Sequence, residues 1–77
     1  MTNEQFWHAH KAACFMRDGY LGGFADAIGL AMIRADLGNF QRLAEAFPDL
    51  IERAHMELAA RETREAIRKA QETEAAK

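Results

Sequence analysis

Residues 48–77, PDLIERAHMELAARETREAIRKAQETEAAK, determine the architecture that the sequence predicts. Pro48 suits the first turn of a helix, where its missing N–H is not needed, and Asp49 places negative charge near the positive end of the helix dipole. No glycine and no further proline follows. The sequence therefore predicts one continuous helix of about 28 residues, roughly 40 Å long at ~1.5 Å per residue.

The first half of this helix carries an apolar stripe that can close a hydrophobic core. The stripe has the spacing of one helix face and consists of Leu50, Ile51, Ala54 and Leu58. Beyond residue 60 only Ile67 is a large aliphatic residue, and charges spaced four apart, such as Glu57 and Arg61, support the helix in water. We therefore expect residues 1–60 to form the core and residues 61–77 to form a charged extension that frays at its end.

A second stripe lies on the opposite side of the same helix, where the core of one subunit does not reach. It has the four-three-four spacing of a coiled coil with small side chains, and it consists of Met56, Ala60, Thr63 and Ile67. We expect this stripe, called the outer seam below, to pair two chains as a homodimer or to dock another protein, with charge along the helix setting the register. Phe15, among the polar residues of the first helix, is expected to add to that surface. The alternative is an alanine-rich helix that frays without a partner.

Three shorter helices are predicted before Pro48. The first begins at Thr2, whose spacing to Gln5 is that of a capping box, and ends near residues 18–19. The second runs over about residues 20–37, where Ala25 and Gly29 would let a neighbouring backbone come close. The fold class is therefore all-α, a small bundle of three or four helices with a long protruding C-terminal helix.

The boundary between the second and third helices is assigned to Gly38 and Asn39. Glycine is common just after a helix C-terminus, and asparagine is a good N-terminal cap. These residues predict a short third helix from Phe40 to about Ala46, immediately before Pro48.

Length and composition limit the class of protein. A chain of 77 residues forms one domain with a marginal core, and its single cysteine, Cys14, excludes an internal disulfide. The net charge of −2 and the pI of about 5.9 argue against a general nucleic-acid binder. Without a long apolar run or a signal-peptide pattern, we expect a soluble cytoplasmic protein that makes no contact with membranes.

The residues suited to catalysis or metal binding do not form a recognisable set. His10 and Cys14 are spaced i,i+4 and could supply two zinc ligands or a nucleophilic pair, but a structural zinc site needs four ligands. His8 points to the far side of that helix, and His55 could join only if the last helix packs there. Four short helices also leave little room for a pocket of ~300 Å³. We expect no enzymatic activity, no metal and no cofactor.

An alternative hypothesis is a nucleic-acid-binding helical protein. Arg61, Arg64 and Arg68 lie within about 60° of one another on the helical wheel and form one ridge. Glu57 and Glu65 flank this ridge, and acidic neighbours oppose the approach of phosphate groups. A solvated helix face is therefore the favoured interpretation of these arginines.

Two further segments carry a resemblance: Phe24-Ala-Asp-Ala-Ile-Gly-Leu-Ala31 and Ala35-Asp-Leu-Gly-Asn-Phe-Gln-Arg-Leu-Ala-Glu-Ala-Phe-Pro-Asp-Leu50. Over residues 20–52 the chain resembles short helical accessory proteins of bacteriophages and other mobile elements. That group has no shared activity to transfer to any residue here. The resemblance implies only a setting, in which a small protein binds a larger host complex and blocks or redirects it, as CRISPR inhibitors and host-takeover factors do.

Overall fold

The computed structural model describes residues 1–75, and it describes side chains as far as residue 72. Over this range the protein is all-α and contains four helices: α1 Asn3–Arg17, α2 Gly23–Arg34, α3 Leu37–Ala46 and α4 Pro48–Ala75. The predicted fold class is confirmed. None of these helices combines the length and the apolar character that crossing a membrane requires. The predicted fraying concerns the residues after residue 70: residues 71–75 are part of α4, and residues 76–77 lie outside the described range.

The beginning of α1 and the turn after it follow from local side-chain and backbone chemistry. The Thr2 hydroxyl accepts a hydrogen bond from the Gln5 N–H at 3.1 Å, and the Gln5 side-chain oxygen accepts one from the Thr2 N–H at 2.9 Å, which confirms the capping box. Gly19 and Gly22 both have positive φ, at 87° and 96°. The second of these left-handed residues delays α2 until Gly23, so the predicted start near residue 20 is wrong.

The predicted boundary at Gly38 and Asn39 is also wrong. α2 ends at Arg34, and the carboxylate of Asp36 accepts a hydrogen bond from the Asn39 N–H at 2.8 Å. Asp36 is therefore the N-terminal cap of α3, and Gly38 and Asn39 lie inside its first turn. Aspartate caps helices as well as asparagine does, and the earlier cap adds almost one turn to α3.

α3 and α4 meet at a single residue. Phe47 ends α3, where its N–H donates to the Leu43 carbonyl at 3.1 Å, and its own carbonyl accepts the Ile51 N–H at 3.3 Å. Pro48 then begins α4, which continues without a break for 28 residues, as predicted. The molecule measures 53 × 28 × 19 Å because the second half of α4 extends beyond the other helices.

The core is built around close contact between α1 and α2. A Cβ atom placed on Gly29 of α2 would lie 2.6 Å from the Ala13 carbonyl oxygen and 2.8 Å from the Arg17 nitrogen, both backbone atoms of α1. The predicted close approach at Gly29 is therefore confirmed. The buried side chains around this contact are mostly small, and the fully enclosed large ones are Met16 and Met32. α4 closes the core with Ile51 and Ala54, which are both buried.

Replacing Gly29 with alanine should destabilise the protein by about 1–3 kcal/mol, because the new methyl group would press on backbone atoms that cannot move independently. Gly23→Ala is the matched control: it also adds a methyl group to α2, but nothing lies within 4 Å of the new atom. The free energy of unfolding, measured by urea titration with circular dichroism, should fall for Gly29→Ala and not for Gly23→Ala. Equal stabilities of the two variants would contradict the close contact between α1 and α2.

Candidate interaction surface

The outer seam lies on the side of α4 that faces away from the other helices. Successive residues of a helix are about 100° apart, which places the seam roughly opposite the buried Ile51 and Ala54. Met56 is 71% exposed and Ile67 is 54% exposed. Ala60 and Thr63, between them, are also exposed. The four predicted residues therefore form one continuous, uncovered face.

The two edges of the outer seam differ in charge. Along one edge, the Glu57 carboxylate lies 3.4 Å from the Arg61 guanidinium and accepts a hydrogen bond from Arg64 at 3.2 Å. Along the other edge lie Ala59 and Ala66, which are exposed and uncharged. The outer seam thus has a charged edge with both signs and a smooth edge of small residues.

The three arginines of the predicted ridge each have a carboxylate partner. Arg61 and Arg64 share Glu57, and Arg68 donates to Glu65 at 2.9 Å. Arg61 also lies over the ring of Tyr20, with its guanidinium carbon 4.0 Å from the ring centroid, a cation–π contact. Phosphate binding would have to compete with these carboxylates, so the ridge is a poorer anion site than its composition indicates.

Phe15 does not belong to the exposed surface. The prediction that it adds to the interaction surface is wrong, because its side chain is only 7% exposed. The ring of Tyr20 stacks on it at a centroid distance of 4.7 Å, and Arg61 covers the same side from α4. A helical wheel of α1 cannot detect this burial, since the covering groups come from the turn after α1 and from a distant helix.

The histidines and the cysteine form two separate pairs. The Cys14 sulfur lies 3.7 Å from Nδ1 of His10 on one face of α1. On another face, the rings of His8 and His55 stack at a centroid distance of 3.8 Å. Nε2 of His55 donates a hydrogen bond to the His8 carbonyl oxygen at 2.8 Å, because a carbonyl can only accept.

His55 therefore fastens α4 to α1 on the side away from Cys14 and does not join that pair. Among the residues that the structure describes, no three His, Cys, Asp or Glu side chains are grouped as a metal site requires. The Glu52 carboxylate lies 3.8 Å from Nε2 of His8 at the exposed end of the stacked pair.

Several exposed apolar side chains were not predicted as surface features. Leu37, which is 63% exposed, borders a groove of about 340 Å³ together with Phe6, His10 and Phe40. Trp7, which is 61% exposed, lies edge-on against the rings of Phe6 and His10. A wider open groove of about 510 Å³ lies between α1, α3 and α4. The expectation that the bundle leaves little room for a pocket is therefore wrong for its surface. Residues of α3 line both grooves.

Comparison with protein-family models, with curated proteins and with solved structures gave no significant match to this chain. The function proposed below rests on the geometry of the chain itself.

The burial of Phe15 can be tested by mutation. Phe15→Ala should lower the free energy of unfolding by about 3 kcal/mol or more, because it removes a buried ring and leaves a cavity. Phe24→Ala is the matched control, since Phe24 is 65% exposed and its ring contacts that of Phe47; this variant should lower the free energy of unfolding by less than half as much. Thermal and urea unfolding measure both. Similar losses for the two variants would contradict the burial of Phe15.

Proposed function

We propose that this protein is a non-enzymatic interaction module whose binding surface is the outer seam of α4. The observation that carries the proposal is the exposure of Met56 and Ile67, at 71% and 54%, on one helix face together with Ala60 and Thr63. A continuous apolar face bordered by charged residues is typical of a protein-binding site. The binding mode is helix against helix, with apolar side chains spaced to interlock with those of a partner helix.

The second half of α4 would also gain stability from a partner. Every described side chain from Ala59 to Glu72 is exposed, so this segment receives almost no support from the core. An isolated helix of this length is only marginally stable in water, even with favourable charge pairs. Burial of the outer seam against another helix would supply the missing stabilisation.

The alternative function, nucleic-acid binding through Arg61, Arg64 and Arg68, is the weaker proposal. The carboxylates of Glu57 and Glu65 already pair with these arginines and would repel phosphate groups. Binding through this ridge would require those pairs to open, and the chain has a net charge of −2.

The resemblance to accessory proteins of bacteriophages and mobile elements supplies a cellular setting for the proposal. In that setting the module works in the cytoplasm and binds, and thereby modulates, a larger host complex. Binding to the host and pairing of two copies are both compatible with a single exposed helix face.

The proposal can be tested with a photo-cross-linking amino acid placed at Thr63 and activated in the cells that produce the protein. Thr63 lies in the outer seam, whereas the neighbouring exposed residue Glu62 points about 100° away and provides the control position. Cross-links to protein should form from position 63 and not from position 62. A nuclease-sensitive product would support the nucleic-acid alternative, and the lack of any product at position 63 would contradict the interaction module.

A variant that places two glutamates in the outer seam tests the same surface without the photo-cross-linking amino acid. Met56→Glu combined with Ile67→Glu should reduce the association of the protein, measured by light scattering and by recovery of bound proteins, by at least tenfold, because each change buries a carboxylate in the contact. Asn3→Glu combined with Ala31→Glu adds the same charge at exposed positions of α1 and α2 and should leave association unchanged. Undiminished association in the outer-seam variant would mean that this face is not the binding surface.

A further inference from the structure

The outer seam is symmetric about the point between Arg61 and Glu62. Its residues form two pairs that lie equally far on either side of that point: Met56 with Ile67, and Ala60 with Thr63. Two such seams can lie antiparallel on one another, large residue against large and small against small.

We propose that the partner of the outer seam is a second copy of this chain, bound antiparallel about a two-fold axis that passes between Arg61 and Glu62. This inference rests on the proposed function and adds the partner, the direction of the helices and their register. In the pair, Met56 packs against the partner's Ile67, and Ala60 packs against the partner's Thr63. Both copies use the same residues, as a two-fold symmetric contact requires.

The charges along the outer seam match the antiparallel direction. Glu57 and Arg64 occupy equivalent positions on the same edge, one heptad apart. Antiparallel pairing places Glu57 of each copy beside the partner's Arg64, so the dimer contains this attractive pair twice. Within one chain Arg64 already donates to Glu57 at 3.2 Å, so the pairs between the two copies would share these groups with the pair within each chain or replace it. On the opposite edge, Ala59 and Ala66 lie beside the outer seam and their small side chains let two helices approach closely, and Glu52 lies one heptad before Ala59.

A parallel pair would not have this complementarity. In the parallel heptad arrangement, Glu57 of one copy would face the partner's Glu52, and Arg64 would face the partner's Ala59. The first contact is repulsive and the second is neutral. Charge therefore selects the antiparallel direction.

The rest of each molecule leaves room for the second copy. α1 contacts α4 through the buried Ile51 and Ala54 and through the His8–His55 stack, and the turn before α2 contacts it through Tyr20. These contacts are made by other faces of α4, and Leu21 of the same turn borders an open groove with Met56, Glu57 and Ala60 at the charged edge of the outer seam. In the antiparallel pair the two helical bodies would therefore lie on opposite outer sides, and the exposed second half of each α4 would lie along the first half of the partner's α4.

The direction and register can be tested by charge reversal in the full-length protein. An antiparallel dimer has two edge contacts, each between residue 57 of one copy and residue 64 of the other. Glu57→Arg places two arginines side by side at each contact, and Arg64→Glu places two glutamates there. Each single variant should weaken dimerisation about tenfold, as measured by sedimentation equilibrium. The double variant Glu57→Arg plus Arg64→Glu should recover most of the loss. An equimolar mixture of the two single variants should form a heterodimer in preference to either homodimer, because both edge contacts are then attractive.

Glu62→Arg is the matched control. It makes the same charge change on α4 at an exposed residue outside the outer seam and should leave the dimerisation constant within about twofold. Circular dichroism on each variant verifies that its helix content is unchanged.

The outcomes separate this inference from the proposed function. If Glu57→Arg leaves dimerisation unchanged or strengthens it, the antiparallel pairing is wrong and a parallel pair takes its place, since the change removes the repulsion with Glu52. If the wild-type protein is a monomer at all accessible concentrations, self-pairing is wrong, but cross-links from Thr63 to a different protein would still support the interaction module. If dimerisation survives Met56→Glu plus Ile67→Glu, the outer seam is not the contact and both proposals fail.

Discussion

The backbone contact between α1 and α2 at Gly29 is the constraint on which the rest of the structure depends. With no side chain at Gly29, the Ala13 carbonyl and the Arg17 nitrogen of α1 can lie within 3 Å of where a Cβ atom would be. Helices this close can bury only small residues between them, and alanines accordingly make up much of the core. A core of small residues leaves less room for large apolar side chains, several of which, such as Trp7, Phe24 and Met56, remain exposed. The same packing that holds the bundle together thus creates surfaces that a partner can cover.

The direction in which the outer seam points is set by the buried face of α4 and by two contacts on either side of that buried face. Its buried residues in the core are Ile51 and Ala54. The stacked His8–His55 pair holds one edge of the helix, and the contact of Arg61 with Tyr20 holds the other. Together with Leu50 and Leu58, which pack against the core beside Ile51 and Ala54, these contacts limit rotation of α4 about its own axis and so define its outward face.

Those features of the fold that depend on neighbouring residues were predictable from the sequence. The capping box at Thr2, the helix start at Pro48 and the apolar period of the outer seam involve residues within about three turns of one another, and the pattern carries that information directly. The boundary before α3 was misplaced because Asp36 and Asn39 are both good caps, and only the three-dimensional path of the chain selects the first. The burial of Phe15 and the His8–His55 stack depend on residues far apart in sequence, for which a single helix pattern holds no information.

Because α4 is one unbroken helix, the number of residues that separate its buried face from the outer seam is as important as the identity of those residues. An extra residue inserted between Leu58 and Ala60 would leave the contacts of Ile51 and Ala54 with the core in place, yet it would turn every later residue by about 100° around the helix axis. Thr63 and Ile67 would then no longer share a face with Met56. This part of the chain should therefore tolerate many substitutions during evolution but very few insertions or deletions, and those that persist should come in lengths of three, four or seven residues, which nearly restore the original face.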